Sequence, residues 1–254
     1  MRTLFKENEN DKMIKAVILA AGRGKRISKC MNDKPKPLIP IFGKPLIEYP
    51  LEALSKNGIE ECIIVVGYKA EVIQNYLGKE KYNIKIRYVY NPAYEEGNGI
   101  SLYVTRKFFE NSESFLVLMA DHLVTAEIVK KAIEHVGKSP LLCVDRSPKY
   151  DSQLKDATKV LVNDKGFIQN IGKNLTEWNA IDTGVFILNG RIFEEIEKVK
   201  ENPPVTVSKC LRQMIRDNVP FWACDVSGLF WLDIDLPEDL EFAEKILAEM
   251  TSIA

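Results

Sequence analysis

The chain has 254 residues, of which 46% are hydrophobic and 28% are charged. A chain of this length and composition can bury a large core, which excludes a disordered protein and a small scaffold that depends on disulfides. Its 35 lysines and arginines nearly balance 36 aspartates and glutamates, for a formal net charge of -1 at pH 7. This balance argues against a broad basic surface that binds nucleic acid through its phosphates.

Neither the N-terminus nor the cysteines indicate a secreted, membrane-spanning or disulfide-dependent protein. Residues 1–13 are polar and lack the apolar stretch of a secretory signal, so we expect a frayed leader there. No run approaches the roughly 18 apolar residues of a membrane span, which predicts a cytoplasmic protein without membrane insertion by this chain. The five cysteines are widely spaced and include no C-x-x-C pair, so we interpret most of them as core residues.

Short apolar runs alternate with helix-period segments along the first half of the chain. Strands are predicted at residues 14–20, 62–66, 84–90 and 115–119, and helices at 45–56, 69–77, 100–109 and 125–136. This alternation is typical of an α/β domain whose mostly parallel sheet is covered by helices on both faces. Ligands of such sheets bind at the carboxyl ends of the strands.

The second half of the chain changes character. Strand-like runs at 141–145, 157–162, 167–171 and 180–188 are separated by turn signals, which predicts hairpins and a mixed sheet. Helices are predicted near 191–200 and 205–217, and an amphipathic helix begins with Pro237 in its first turn. We therefore expect one domain over residues 14–254, with two halves that meet near residue 140.

The strand at 14–20 runs directly into the sequence G-R-G-K-R at residues 22–26. Glycines let the backbone approach an anion closely, and successive N–H groups there can bind it. A Walker A loop and a dinucleotide fingerprint both fail, because G-K-[ST] is missing and Ile27 stands where the third glycine would be. The next motif is K-P-K-P at residues 34–37. Its prolines, on both sides of Lys36, are expected to hold the backbone extended and to fix where that lysine points.

The two motifs together carry a family resemblance. L-A-A-G-R-G-K-R at 19–26, followed by K-P-K-P-L-I-P-I-F-G-K-P-L-I at 34–47, resembles the nucleotidyltransferases that join a nucleoside triphosphate to a sugar phosphate or polar alcohol phosphate. The resemblance covers nearly the whole chain after Lys15 and implies a Rossmann-like fold. It also implies that residues of about 14–140 bind the nucleotide and residues of about 141–254 bind the acceptor.

Carried over by position, the family's nucleotide contacts fall on four segments, of which the one at 97–101 would lie beside the nucleobase. Arg26 would hold the triphosphate, and Lys36 would neutralise charge near the reacting phosphorus. The remaining nucleotide-binding residues that the resemblance implies are Leu19, Ala20, Ala21, Gly22, Gly24, Gly67, Gly97, Asn98 and Ser101. Asn98 also fits a helix cap.

Carboxylates for a divalent metal are predicted at two places. Asp121 follows the strand at 115–119, at the carboxyl tip where the ligand crevice lies, and in the family an aspartate there binds the cation. W-L-D-I-D at 231–235 resembles the family's second metal element. Alternation puts Asp233 and Asp235 on the same side, which leaves open which of them is the ligand. Mg²⁺ suits such a site because it prefers oxygen ligands and substrate phosphates.

The combination of G-N-G-I-S-L, A-D-H-L-V and W-L-D-I-D most resembles the inositol-1-phosphate cytidylyltransferases. His122 departs from the commoner sugar-nucleotide pattern and points to this branch. The resemblance implies CTP and inositol-1-phosphate as substrates, CDP-inositol as product, and a place in di-myo-inositol phosphate synthesis. The family domain is often fused to a membrane transferase, so we expect a stand-alone enzyme or a separated domain, with a homodimer left open.

The acceptor site is implied by the same resemblance. Lys173 matches a family lysine that meets the acceptor phosphate. Asp182, Thr183 and Gly184 match the strand that flanks the acceptor hydroxyls, and Asp145 and Lys159 are further candidates.

Four other functions stay open from the sequence. The first is transfer to phosphocholine, whose binding would need an aromatic cage, and the second is transfer to a sugar 1-phosphate. A glycosyltransferase would be expected to carry a D-x-D motif where this chain has Asp121-His122-Leu123. The alternative without catalysis is a silent nucleotide-binding regulator.

Overall fold

The computed structural model describes residues 14–28, 34–138 and 140–253. The predicted leader over residues 1–13 lies outside the described residues, as does Cys30. The strands are β1 (Lys15–Ala20), β2 (Pro40–Ile41), β3 (Lys44–Pro45), β4 (Glu61–Val66), β5 (Glu80–Lys81), β6 (Ile84–Tyr90), β7 (Phe115–Met119), β8 (His122–Val124), β9 (Leu141–Asp145), β10 (Lys159–Val162), β11 (Ile168–Gly172), β12 (Ala180–Leu188), β13 (Trp222–Asp225) and β14 (Trp231–Asp233). The α-helices are α1 (Lys25–Ser28), α2 (Glu48–Ser55), α3 (Ala70–Leu77), α4 (Asn98–Tyr103), α5 (Ala126–Glu134), α6 (Asp151–Lys155), α7 (Arg191–Val199), α8 (Val207–Arg216) and α9 (Pro237–Ile253).

The centre of the sheet is parallel. β1 lies between β4 and β7 and runs parallel to both, with Ile18 opposite Ile64 on one side and Leu118 on the other. β6 continues the parallel arrangement beyond β4. β1, β4 and β7 are buried on both faces, which explains why β1 and β4 are nearly continuous apolar runs instead of alternating ones. β1, β4, β6 and β7 were all predicted.

The second half adds antiparallel strands to the same sheet. β12 pairs with β10 along its first residues and with β7 along its later residues, and it pairs with β9 on its other edge. β13 runs parallel to β9, with Cys224 opposite Cys143. The predicted mixed α/β sheet is confirmed. The short strands β2, β3, β5, β8, β13 and β14 were not predicted, because strands of two to four residues leave no periodic pattern in the sequence.

Helices cover both faces of the sheet, as predicted. Leu51 of α2, Ile73 of α3 and Ile128 of α5 pack with the alternate β1 residues that include Ile18. On the opposite face, α4, α7 and α8 pack against the β1 residues that include Val17. The predicted helix at 100–109 was wrong in its extent, since α4 ends at Tyr103 and a 3₁₀ turn follows.

A third, smaller core lies beyond the carboxyl ends of the strands. It joins α1, β2, β3, β8, β14 and α9, and its buried residues are Ile27, Ile39, Ile41, Leu46, Leu123, Leu232, Ile234 and Ala243. The segments that carry Arg26, Lys36, Asp121, Asp233 and Asp235 all contribute to this core. Their relative positions are therefore fixed by apolar packing and not by the polar groups alone.

The cysteines and the helices agree with two further expectations. Cys62, Cys143, Cys210 and Cys224 are all buried and free, as expected for core residues. Among the described residues, no helix combines the length and the apolar character that crossing a bilayer requires.

Candidate active site

A cleft at the carboxyl ends of β1 and β7 consists of two adjoining chambers. The loop chamber, about 290 Å³, is lined by the glycine loop, the 3₁₀ turn at Lys36 and the end of β7. The strand chamber, about 370 Å³, lies between β12, β14 and the start of α8. Small-molecule sites usually measure roughly 300–1,000 Å³. Arg26, Asp121 and Asp235 line both chambers, so the boundary between the chambers is charged.

The glycine loop is shaped by its contact with Lys36. Gly24 has φ +62°, and a Cβ atom on it would lie 2.6 Å from the Cβ of Lys36. Only glycine accepts both that φ angle and so close a side chain without strain. Gly22 has open space where a side chain would stand, and it lines the loop chamber together with Leu19 and Ala20.

Lys36 lies in a 3₁₀ turn, Lys36–Leu38, and not in extended backbone as the flanking prolines predicted. The φ angle of proline is compatible with that turn, and only Pro35 is extended, with φ −60° and ψ 133°. The lysine is nevertheless held in one direction. Its side chain is 5% exposed, and its Nζ donates to Asp121 Oδ2 at 2.8 Å and to Asp235 Oδ1 at 2.7 Å.

These ion pairs keep Lys36 charged. Burial alone would lower the pKa of Lys36, but the neighbouring carboxylates of Asp121, Asp233 and Asp235 raise it instead. The pKa of Asp121 is correspondingly lowered; burial opposes this shift, and Lys36 and His122 cause it. The loop chamber therefore contains a buried ammonium group beside an ionised carboxylate.

The alternation of charge continues into the strand chamber. Arg26 Nη2 donates to Asp235 Oδ2 at 2.6 Å, and Arg26 Nη1 donates to Asp156 Oδ2 at 3.2 Å. Lys173 Nζ lies 2.8 Å from the same Asp156 oxygen. We name the resulting series the charge chain: Lys173, Asp156, Arg26, Asp235, Lys36 and Asp121. Each of its three cations is a residue that the sequence analysis assigned to a substrate phosphate.

Beside the end of the charge chain is a group suited to a divalent metal. Ligand atoms of Asp121, His122 and Asp233 all lie within 4.8 Å of one another. Antiparallel pairing of β8 with β14 sets Asp233 opposite His122, whose Nδ1 is 3.0 Å from Asp121 Oδ1 and 3.6 Å from Asp233 Oδ1. Asp235 is not in this group, and its two oxygens contact Lys36 and Arg26.

One oxygen in this group is left without a hydrogen bond. Asp233 Oδ1 is buried and has no hydrogen-bond partner, and burial is the largest cause of the raised pKa of this carboxyl group. A buried polar atom without a partner is costly, and a cation held between Asp121 and Asp233 would satisfy it. Carboxylate oxygens are also the donors that hard divalent cations prefer, so the donor set fits such a metal.

His122 is a site residue to which the sequence analysis gave no role. Its ring is stacked against Trp231, with centroids 6.3 Å apart. Burial would lower its pKa, but Asp233, Asp121 and Asp182 raise it to about 9. The one signal in the sequence was a second polar residue directly after Asp121 at a strand tip.

Gly184 makes room for that ring. It has φ +77°, and a Cβ atom on it would lie 2.6 Å from His122 Cδ2. Its N–H donates to Asp182 Oδ1 at 2.7 Å. Burial raises the pKa of Asp182 to about 6. Gly184, Asp182 and Lys173 all line the strand chamber, where the sequence analysis expected the acceptor.

Three other predicted acceptor residues do not line either chamber. Asp145 is buried and accepts from Trp231 Nε1 at 3.0 Å and from the backbone N–H of Ser147 at 2.8 Å. Thr183 Oγ1 donates to the carbonyl of Cys143 at 2.9 Å. Lys159 lies over the ring of Trp178, with Nζ 5.5 Å from the centroid. Each has a partner within the protein, and the strand chamber is formed without them.

The segment predicted to meet the nucleobase is held against the start of α8. Gly97 has φ +119°, and a Cβ atom there would lie 2.2 Å from the carbonyl oxygen of Val205. Asn98 belongs to α4 but caps α8, because its Oδ1 accepts from the N–H of Val207, the first residue of α8. Asn98 also lines the strand chamber.

The other predicted base contacts are packed inside the protein. Ser101 Oγ accepts from Asn91 Nδ2 at 3.0 Å and is buried. A Cβ atom on Gly67 would lie 2.8 Å from both the carbonyl of Ala21 and the side chain of Tyr94. These residues therefore determine the shape of the wall beside the loop chamber.

Two further residues of the strand chamber were missed by the sequence analysis. Asp156 stands at the C-terminal end of α6, outside any motif. Gln153 anchors that helix, because its Nε2 donates to the carbonyl of Trp231 at 2.9 Å and its Oε1 accepts from the N–H of Tyr150. A helix of five residues has no periodic signal that would mark it in the sequence.

Comparison with known proteins agrees with this geometry. The chain matches the nucleotidyl transferase family over residues 15–249. The "Bifunctional IPC transferase and DIPP synthase" of Aquifex aeolicus is 36% identical over 235 residues, which are 92% of this chain and 52% of that protein. The protein of the same name from Thermococcus kodakarensis is 34% identical over 236 residues, 92% of this chain and 50% of that protein. The chain thus spans about half the length of these relatives.

Solved structures are similar over almost their whole length. The inositol-1-phosphate CTP transferase from T. maritima is 30% identical with a TM-score of 0.79, covering 92% of this chain and 96% of that one. A UDP-glucose pyrophosphorylase in complex with UDP-glucose reaches the same TM-score at 19% identity, with 94% and 99% covered, which shows the shared fold alone. The glycine loop, the carboxylates at the strand ends and the sheet order thus occur in a chain that belongs to the nucleotidyl transferase family.

Proposed function

We propose that this chain transfers the cytidylyl group of CTP to inositol-1-phosphate, forming CDP-inositol and releasing pyrophosphate. The observation that carries this proposal is the charge chain, which joins the family's nucleotide loop at Arg26 to a second phosphate-binding cation, Lys173, in the neighbouring chamber. A reaction between two phosphate-bearing substrates needs cations on both sides of the boundary. Similarity to the inositol-1-phosphate CTP transferase from T. maritima, over nearly all of that protein, supports the choice of substrates.

The two chambers provide for the two substrates separately. We assign the triphosphate to the loop chamber, where Gly22, Gly24 and Lys36 face the space. The acceptor then occupies the strand chamber, with its phosphate near Lys173 and its hydroxyl groups near Asp182 and Asn98. This assigns nucleotide binding mainly to residues 14–140 and acceptor binding mainly to residues 141–254.

The divalent cation in this proposal is Mg²⁺, held by Asp121 and Asp233. Its contribution, when bound, is to neutralise the charge of the triphosphate. We choose Asp233 over Asp235 because Asp233 Oδ1 is buried without a hydrogen-bond partner, whereas Asp235 is engaged by Lys36 and Arg26. Asp235 thereby fixes the positions of these two cations.

The residues of the chain position the substrates and stabilise charge. An oxygen of the acceptor phosphate attacks the α-phosphorus in line, a new P–O bond forms, and the bond to the β-phosphate breaks so that pyrophosphate leaves. Because the second pKa of a phosphate monoester is about 6, the nucleophile is already anionic at neutral pH and needs no general base. Lys36 and Arg26 stabilise the negative charge on the transferred and leaving phosphates, and Lys173 holds the acceptor phosphate.

The lining of the strand chamber favours a polyol over a quaternary ammonium acceptor. Its phenylalanine, tyrosine and tryptophan side chains within the described part of the chain are Phe186 and Trp231, and both are buried. A choline group would require several exposed aromatic faces around the cation. Carboxylate and amide groups such as those of Asp182 and Asn98 suit a ring of hydroxyl groups instead.

The curated relatives are about twice as long as this chain, so the fate of the product is a separate proposal. We place the reaction in the cytoplasm and infer that CDP-inositol is passed to a transferase that makes di-myo-inositol phosphate. That second activity would reside in another part of the protein or in another chain.

Pyrophosphate release tests the proposed function directly. CTP, UTP, GTP and ATP would each be offered inositol-1-phosphate, phosphocholine, mannose 1-phosphate and glucose 1-phosphate in the presence of Mg²⁺. We expect release with CTP and inositol-1-phosphate, and its loss in Asp121→Asn. Activity with another pair would overturn the substrates but not the reaction class, and nucleotide binding without any release would favour a silent regulator.

A further inference from the structure

We infer that Asp156 occupies the place of the acceptor phosphate in the ligand-free cleft, and that the acceptor must displace it to bind. The inference rests on the proposed function, since it concerns the acceptor chamber of the same site. It assigns to Asp156 a positioning and selecting role that none of the sequence motifs indicated.

A single oxygen of Asp156 contacts two cationic side chains from distant parts of the chain. Asp156 Oδ2 lies 3.2 Å from Arg26 Nη1 and 2.8 Å from Lys173 Nζ. Arg26 belongs to the nucleotide loop and Lys173 to the strand chamber, so this oxygen stands where the two substrates would meet. An anionic oxygen between a guanidinium and an ammonium group is also the arrangement that a phosphate oxygen would make.

Asp156 is held in place independently of its ion pairs. It follows directly on α6, and Gln153 fastens that helix to β14 through a buried hydrogen bond to the carbonyl of Trp231. The backbone at Asp156 is therefore held beside the cleft by contacts other than those with Arg26 and Lys173. Removing its charge should leave α6 in place, so a substitution can test the charge alone.

The carboxylate is a displaceable partner, unlike the others in the charge chain. Its side chain is 47% exposed, and the side chains of Arg26 and Lys173 are exposed to a similar degree, so these ion pairs are weak. A phosphate monoester carries close to two negative charges and three acceptor oxygens, compared with one charge on the carboxylate. It can thus replace Asp156 on both cations, whereas a singly charged or neutral ligand gains little by doing so.

Asp156→Asn tests this inference by binding and by kinetics. Inorganic phosphate at pH 8 serves as the probe, and its affinity is measured by titration calorimetry with the whole chain. We expect Asp156→Asn to bind phosphate about fivefold more tightly, a change of the size that the loss of two exposed ion pairs allows. The KM for inositol-1-phosphate should fall by a similar factor with kcat unchanged, which a merely structural role would not produce.

Three further proteins make the result specific. Asp156→Glu keeps the charge and should behave as the unsubstituted protein. Asp225→Asn removes another exposed ion pair, that with Arg146, away from the cleft, and should change neither quantity. In the double variant Asp156→Asn/Lys173→Ala, the gain in phosphate affinity should shrink, because one of the two cations that Asp156→Asn frees is gone.

The outcomes separate this inference from the proposed function. Unchanged or weaker phosphate binding by Asp156→Asn overturns the inference, as does a gain that is undiminished without Lys173. A chain that transfers no cytidylyl group to inositol-1-phosphate overturns the proposed function instead, while the phosphate titration still decides the role of Asp156.

Discussion

The side chain of Lys36 passes so close to Gly24 that a Cβ atom on the glycine would lie 2.6 Å from the Cβ of the lysine. The glycine loop and the proline-flanked lysine are therefore one packing unit, although they are separate motifs in the sequence. The same lysine reaches Asp121 and Asp235, which lie 85 and 199 residues further along the chain.

Gly24→Ala is predicted to damage activity more than stability. The alanine would be strained at φ +62°, at a cost of about 1–3 kcal/mol, and would push Lys36 away from the reacting phosphate. Since a misplacement of about 1 Å can cost a hundredfold in rate, we expect kcat to fall by about that factor. Pyrophosphate release and thermal melting measure the two effects. Gly137→Ala, at a position with open space, is the control, and equal kcat values for the two variants would contradict the argument.

The two aspartates after β14 are predicted to differ in metal binding. Asp233→Asn should raise the Mg²⁺ concentration needed for half-maximal rate by at least about tenfold, because it removes a proposed ligand. Asp235→Asn should leave metal affinity unchanged, since Asp235 contacts Lys36 and Arg26. Binding of Mn²⁺, followed by electron paramagnetic resonance, gives a readout that does not depend on turnover. If Asp235→Asn weakened metal binding and Asp233→Asn did not, Asp235 would be the ligand.

Two lysines of the second half are predicted to differ in acceptor binding. Lys173→Ala should raise the KM for inositol-1-phosphate about tenfold or more, the size expected for a hydrogen bond to a charged group, without changing the KM for CTP. Lys159→Ala should change neither, because Lys159 lies over Trp178 outside both chambers. Steady-state kinetics with each substrate varied in turn checks this. A rise in the KM for inositol-1-phosphate with Lys159→Ala would bring that lysine back into the site.

A buried carboxylate far from the cleft is predicted to make stability depend on pH. Glu48 accepts from the hydroxyl groups of Tyr76 and Tyr82 and lies 3.1 Å from Lys81 Nζ. Burial opposes the shift, but these partners lower the pKa of Glu48 in the folded state. Its stabilisation is therefore present above the pKa of the unfolded chain, and it is lost as the pH falls through the folded-state pKa.

The corresponding variant is Glu48→Gln. At pH 7 we expect it to lower the free energy of unfolding by about 1–3 kcal/mol, and the difference from the unsubstituted protein should shrink as the pH falls below about 4. Urea unfolding at a series of pH values measures this. Glu80→Gln, an exposed neighbour, serves as the control; a pH-independent difference for Glu48→Gln would mean that its charge is not involved.

The features that could be predicted from the sequence are those that a single segment of the chain determines. The buried strands β1 and β7 are apolar runs, and Asp121 lies shortly after the end of β7. Local sequence patterns could not predict the ion pairs across the cleft, since residues such as Arg26 and Asp156 are 130 positions apart. Polar residues inside the protein also look like ligands in a sequence: nothing distinguishes Asp145, which accepts from Trp231, from Asp182, which lines the strand chamber.

The third core has a consequence for how the protein is made. Ile234 and Ala243, which complete that core, lie close to the end of the described chain, and Asp239 of α9 accepts from the backbone N–H groups of Asp235 and Leu236. While the ribosome is still adding these residues, the parallel strands of the first half can already pair, but the glycine loop has no Leu232 or Ile234 to pack upon. The parallel strands can therefore pair before the residues that hold the glycine loop have been made, and a premature stop before β14 would remove Leu232, Ile234 and Ala243 from the third core.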